Sequence, residues 1–235
     1  MHMYRFSTDI LNSADYYIWF RSYPVIERGQ QKVTYTEVPG RAGTLTTKDG
    51  SWTDTVVTME LDITVPVFES CSVDQIYSQF REKVLDSRLL YLEEISGKFF
   101  QIKNTETTGY SRESDITISV DLTITCDPGE YLISGTREYS PDKVLKNRYS
   151  VCCPTYLITG NGGCTLTVNG KKMTATVGQN LTIHTERMLA CRTDGTLQNT
   201  AVKGAYKDLY LQPGENTIAI TKGFDLKVIP NWRCL

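Results

Sequence analysis

Histidine is almost missing from this 235-residue chain: His2 and His184 are the only two. That scarcity narrows enzyme chemistry at once. A Ser-His-Asp or Cys-His site would have to use His184, because His2 stands at a terminus, where order is least expected. His184 falls in the alternating stretch LTIHTE, which suits a strand surface better than a catalytic base. Long apolar runs are missing too. No stretch approaches the roughly 18 apolar residues of a membrane span, so no membrane insertion is expected. The opening MHMYRFSTDI has no basic segment followed by an apolar one, and it is not read as a secretory signal.

The seven cysteines, Cys71, Cys126, Cys152, Cys153, Cys164, Cys191 and Cys234, contain no C-x-x-C. Their number is odd, and adjacent Cys152 and Cys153 suit two independent bridges poorly, so free thiols of a reducing cytosol are expected. Zinc needs clustered Cys or His, which this spacing does not supply. No metal, no cofactor and no catalytic residue is therefore assigned. Any pair of carboxylates placed for glycoside hydrolysis would lack a substrate-shaped signature beside it. Dense Lys/Arg clusters are absent, which argues against sequence-specific nucleic acid binding. The fourteen tyrosines read as strand residues, since nothing in their spacing picks out a sugar-stacking platform.

One stretch tests for a nucleotide site. Residues 36–45 read TEVPGRAGTL, with glycines bracketing an arginine. A phosphate loop must run into a helix, so that free N–H groups and the positive helix end face the anion. Here Thr44, Leu45, Thr46 and Thr47 follow, with no Lys-Ser or Lys-Thr after the second glycine. The stretch reads as a turn between strands: Pro39 fixes φ, and Gly40 permits a positive one.

What is present is mostly β pattern. Val57, Met59, Leu61, Ile63 and Val65 alternate with polar residues, and Ile116 to Cys126 does the same more strongly. Tyr16 to Phe20 and Val33 to Val38 are β-prone, while Asp49-Gly50 is a turn signal. One helix is predicted: Ser72-Val73-Asp74-Gln75 resembles a capping box, and Ile76, Phe80 and Val84 recur at four-residue spacing, with Tyr77 and Leu85 beside them. Leu89 to Ile95 and Lys98 to Lys103 flank a Ser96-Gly97 turn, and Asp127-Pro128-Gly129 ends the long strand. Residues 134–154 read as a connection. Short strands then follow at Tyr156–Thr159, Thr165–Val168, Lys171–Val177, Leu181–His184, Met188–Cys191, Leu209–Leu211, Thr217–Ile220 and Leu226–Ile229. Asn169-Gly170 marks a two-residue hairpin, and Asn161-Gly162-Gly163 a strand connection.

The expected fold is mainly β, a first domain over 1–136 with one helix and an all-β sandwich over 137–235. Charge divides the same way. Residues 1–136 hold 12 Lys+Arg against 20 Asp+Glu, a formal −8, and residues 137–235 hold 13 against 7, a formal +6. Such asymmetry fits two domains with different surroundings.

The order of features resembles the phage distal tail protein family. The resemblance runs over most of the chain: the opening FSTDILNSADYYIWF, the VPGRAGTL turn against the family's V-P-G-R-x-G, the capped helix and the long alternating strand. LTVNGKK, LTIHTERMLA, LYLQPGENTIAI and VIPNWRCL carry it through the second half. His184 departs from the pattern, since related sequences often have an aspartate there. The resemblance implies a structural protein and no enzyme. It implies an N-terminal β-sandwich with a helix, six copies of which form a homohexameric ring, and a galectin-like second domain on the ring's periphery. The implied partners are the tail tube protein, the tape-measure protein and the tail-tip protein that follows. The implied place is the tip of a long non-contractile virion tail, in a phage or prophage, assembled in the bacterial cytoplasm. Pro39, Gly40, Arg41 and Gly43 are the candidate subunit-interface residues. The alternative expectation is a virion-borne module that binds host cell-wall glycan, suggested by fold analogy alone.

Overall fold

The computed structural model describes residues 4–140 and 144–235. His2 lies outside the described residues. The chain divides into two compact units, Met1–Glu130 with Leu235 and Tyr131–Cys234. It is mainly β with several sheets and one α-helix, as expected from the alternation. Residues 131–136, placed in the first domain by pattern, belong to the second unit.

The first unit contains β1 (Phe6–Thr8), β2 (Ile18–Phe20), β3 (Val25–Glu27), β4 (Gln31–Thr36), β5 (Leu45–Trp52), β6 (Thr55–Thr64), α1 (Val73–Asp86), β7 (Leu89–Leu92), β8 (Lys98–Arg112) and β9 (Thr117–Cys126). A 3-10 turn, Ser13–Tyr16, precedes β2, capped by Asn12 through the Ala14 amide. The main antiparallel sheet runs β1-β7-β8-β9-β6-β2, with β3 also paired to β6. β6 and β9 sit at its centre for the reason the sequence suggests. Val57, Met59, Leu61 and Ile63 face Ile118, Val120, Leu122 and Ile124 across a ten-residue register, and all eight are essentially inaccessible to water. Burying a side chain of this size stabilises by about 1.5–3 kcal/mol, so these two strands dominate the core.

α1 starts where the capping box places it. Ser72 Oγ accepts from the Gln75 amide, and Gln75 Oε1 accepts from the Ser72 amide. Ile76, Phe80 and Val84 are buried, and the Phe80 ring meets Phe6 edge-on and packs against Tyr16. Leu85 is instead 41% exposed, because the 100° helical step carries it off the apolar stripe. The Asp49-Gly50 signal makes no chain reversal. Gly50 takes φ +82° inside β5, Ser51 donates twice to Asp49 Oδ1, and the register against β4 shifts between Gln31 and Val33. Turn chemistry serves here to build a bulge.

Glu130–Leu132 (β10) leads into the second unit, which holds β11 (Val144–Asn147), β12 (Thr155–Val168), β13 (Lys171–His184), β14 (Leu189–Cys191), β15 (Val202–Lys203), β16 (Gly214–Ile220), β17 (Asp225–Ile229) and β18 (Arg233–Cys234). Four predicted strands merge into two: β12 and β13 form one fourteen-pair hairpin, closed by Asn169-Gly170 with both residues at positive φ. The predicted connection at Asn161-Gly162-Gly163 is interior to β12, where Gly160, Asn161 and Gly162 oppose Gln179, Gly178 and Val177. Only the partners change there. β17 pairs with β12 at Thr155–Thr159 and β16 pairs with it at Leu166–Val168, yet Tyr156, Ile158, Leu166 and Val168 share one core. The predicted strand at Leu209–Leu211 is no strand: Leu209 ends a 3-10 turn, Tyr206–Leu209, Tyr210 is its extended cap, and Leu211 makes a single bridge to Cys152. Part of the expected connection is β11, paired to β16.

Among the described residues, the buried side-chain nitrogens and oxygens of this unit all have hydrogen-bond partners. Asn216 is fully buried; its Oδ1 accepts from Asn169 Nδ2 and the Gln212 amide, and its Nδ2 donates to the carbonyls of Gln212 and Gly214. Tyr156 donates to the Leu209 carbonyl at 2.7 Å, and burial pushes its pKa up.

Candidate functional site

β4 and β5 form a two-stranded sheet of their own, an arm off the main sheet of the first unit. Its root is tightly built. Gly29 has no room for a side chain, since a Cβ there would sit 2.1 Å from the Thr53 carbonyl oxygen. Gln30 donates to Thr53 Oγ1 at 2.8 Å, and Thr53 donates back to the Gln30 carbonyl at 2.9 Å. Just before the arm, Arg28 donates to Glu130, a carboxylate only 2% exposed that also accepts from Lys98. Beyond the root the support ends. Residues 34–50 are exposed throughout, and nothing lies within 4 Å of where a Cβ would stand on Gly40, Gly43 or Gly50.

The four candidate residues come together at the tip. Thr36 and Leu45 are the last paired residues, and 37–44 is the connecting loop. Arg41 donates its amide to the Val38 carbonyl at 3.1 Å, closing a turn around Pro39 and Gly40, with Gly40 at φ +79° and Gly43 at φ +84°. Both glycines occupy conformations that other residues take only with strain. Glu37, Val38, Pro39, Arg41, Gly43 and Thr44 line a shallow hollow of about 470 Å³. Among the described residues no hydrogen bond or ion pair holds the Arg41 guanidinium. The loop runs into β5 and no helix, so it has no helix end to hold a phosphate. It carries no nucleophile paired with a base, and its charged groups are Glu37 and Arg41 beside exposed apolar surface. Pattern does not mark that surface. Tyr35 is 67% exposed, Leu45 44% and Val38 41%, although the Val33/Tyr35 alternation mimics a strand with one covered face.

The other residues weighed from sequence stay apart from any such site. His184 is half-buried in β13, its Nδ1 3.3 Å from Thr155 Oγ1, and burial together with Arg187 lowers its pKa. All seven cysteines are free. Cys126 is fully buried, and desolvation pushes its thiol up to about 12, which leaves it protonated and inert. Among the described residues no three His, Cys, Asp or Glu side chains are grouped to hold a metal. No described helix is long and apolar enough to cross a membrane. A polar hollow in the second unit, with Thr159, Asn180, Thr182, Asp225 and Lys227 in its wall, has no aromatic ring in its lining.

A mainly β chain in two units, one carrying a single helix and a free-standing arm, defines the class of fold. It is similar to the crystal structure of SPP1 Dit (gp 19.1), described as a paradigm of the hub adsorption apparatus in phages infecting Gram-positive bacteria. The TM-score is 0.65, and the match covers 97% of this chain and 98% of that one, at 14% sequence identity. The two chains share a fold over nearly their whole lengths. No protein-family model and no curated protein matches the chain in sequence.

Proposed function

We propose that the chain is a structural subunit of the tail tip of a long-tailed phage or prophage. Six copies close into a ring through their first units, and the ring joins the tail tube and the tape-measure end to the tail-tip protein beyond. It works in the virion after assembly in the bacterial cytoplasm, and it catalyses nothing. The observation that carries the proposal is the end-to-end fold likeness to a phage hub protein. The arm supplies a second support. A two-stranded hairpin is marginal by itself in water, and this one displays Tyr35, Val38 and Leu45 with no cover from its own unit. Packing against a neighbouring copy would cover them and give the Arg41 guanidinium a carboxylate partner. Pro39, Gly40 and Gly43 then shape the contact while Arg41 makes it. Closed rings need such contacts between unlike faces.

Mass in solution and electron microscopy test the proposal together. A ring of six has a mass of about 160 kDa, six times 26.6 kDa, and class averages show six-fold symmetry. A strict monomer at every concentration, with no ring on assembled tails, removes it.

A further inference from the structure

Among the described residues the two most exposed large apolar side chains are neighbours: Val67 is 83% exposed and Phe68 87%. They stand on the loop between β6 and α1, and the loop is held at both ends. Val65 donates to the Ile116 carbonyl at 2.9 Å, Glu69 donates its amide to the Pro66 carbonyl, and Glu69 Oε1 accepts from the Tyr17 hydroxyl at 2.6 Å. Ser72 then caps the helix. The two side chains are thus displayed on a fixed turn, and Ile116, itself 36% exposed, adjoins the loop's start. The surround is acidic. Residues 66–72 and 113–117 carry Glu69, Glu113 and Asp115 and contain no Lys or Arg. The nearby Arg112 is engaged by both carboxylate oxygens of Asp74.

A hollow of about 350 Å³ in the second unit has the complementary character. Thr165, Thr174, Thr176, Thr200 and Lys203 line it, with Ala201 and the largely buried Cys164 and Ala175, and the lining includes no carboxylate. Exposed Lys172 precedes it on β13, and Lys203 pairs with Thr174 across the β13–β15 register. Four other hollows are each lined by a glutamate, Glu93, Glu37, Glu130 or Glu138. The second unit as a whole carries the formal +6, and the first the −8.

We infer that Val67 and Phe68 form an apolar knob that seats in the Lys203 hollow of another copy of this chain. The inference rests on the ring reading and deepens it, adding a contact separate from the arm. Opposed charges around the seat fix register and partner, the threonine methyls meet the knob, and a knob entering a hollow elsewhere on the molecule is a heterologous contact that can close a ring.

The test places a photo-crosslinking benzoylphenylalanine at Phe68 and mixes isotope-labelled with unlabelled full-length chain. The expected adduct joins two copies, through peptides containing residues 163–176 or 200–203. Phe68→Ser and Lys203→Glu should each weaken self-association at least tenfold with unchanged melting, since both residues are exposed. Raised salt should weaken the wild-type contact. A protein that stays monomeric overturns the ring reading and this contact with it. Self-association unchanged by both substitutions, or adducts confined to residues 1–130, overturns this contact alone.

Discussion

Glu130 is the sharpest test of how the arm is held. Its carboxylate is 2% exposed and takes hydrogen bonds from Arg28 and Lys98, whose side chains are 64% and 34% exposed. Substituting Glu130→Ala removes the anion and leaves two cations at the arm's root. Breaking a fully buried pair costs about 3–5 kcal/mol, mainly because the surviving charge stays buried. Here both cations can turn toward water, so the cost is discounted to about 2 kcal/mol. For a chain of this size that lowers the melting temperature of the first unit by roughly 4–8 °C. Glu130→Gln should cost less than Glu130→Ala, because its carbonyl oxygen still accepts from one cation and only its NH2 group faces the other. Replacing all three residues by Met should cost less than Glu130→Ala alone, since an apolar cluster leaves no unpaired charge. Hydrogen exchange supplies the second readout: amides of β4 and β5 exchange faster in Glu130→Ala, while those of β6 and β9 keep their protection. A melting shift under 1 °C, or a loss of protection spread evenly over the first unit, would refute the idea that this triad anchors the arm.

Asn216→Asp keeps the shape of a buried side chain but replaces a donor facing the carbonyls of Gln212 and Gly214 with an acceptor; chemical denaturation should show the second unit losing at least about 2 kcal/mol. Asp74, whose carboxyl is held below the usual range by Arg112 first and by Tyr110 as well, ties α1 to β8. A depressed folded value contributes stability above the unfolded value of about 3.9 and loses it as pH falls through the folded one. The melting advantage of wild type over Asp74→Asn should therefore hold from pH 7 to 5 and shrink below about pH 4. An isolated 131–235 fragment should melt cooperatively and stand above 137–235, which lacks the Leu132 amide bond to the Trp232 carbonyl and the Asn231 bond to Gly135, both 2.9 Å; equal melting of the two fragments would count against that.

The parts of the fold legible in the sequence are those fixed by short-range chemistry. Alternation over Val57–Val65 and Ile116–Cys126 gives two central strands because a long period of two has only one way to bury a face, although Ile116 itself stands before the strand and is 36% exposed. Ser72 and Gln75 mark the helix start because the cap is made within four residues. The misplacements share a cause. Asp49-Gly50 and Asn161-Gly162-Gly163 carry the residues of turns, and positive φ is what they supply. Whether such a residue reverses the chain or only kinks a strand depends on what lies across from it. Thr47 and Lys48 face Thr34 and Val33, and Gly178 and Val177 face Asn161 and Gly162. Those partners are distant enough in sequence that pattern does not register them. Pattern alone thus divides the long hairpin of β12 and β13 into four short strands.

The candidate site divides along the same line. That Pro39, Gly40, Arg41 and Gly43 make a tight turn follows from local φ preferences, and the Arg41 to Val38 bond closes it. That this turn ends an unsupported arm does not, because burial of Tyr35 or Leu45 depends on whether another layer crosses them. In β6 the apolar residues find α1 and β9; in β4 the same alternation meets water. A hairpin of this composition, with a rigid root and a bare shaft, is not held in place by the core of its own unit. In the proposed ring a neighbouring copy would cover that shaft, and the tip would offer it both the Arg41 cation and the Glu37 carboxylate.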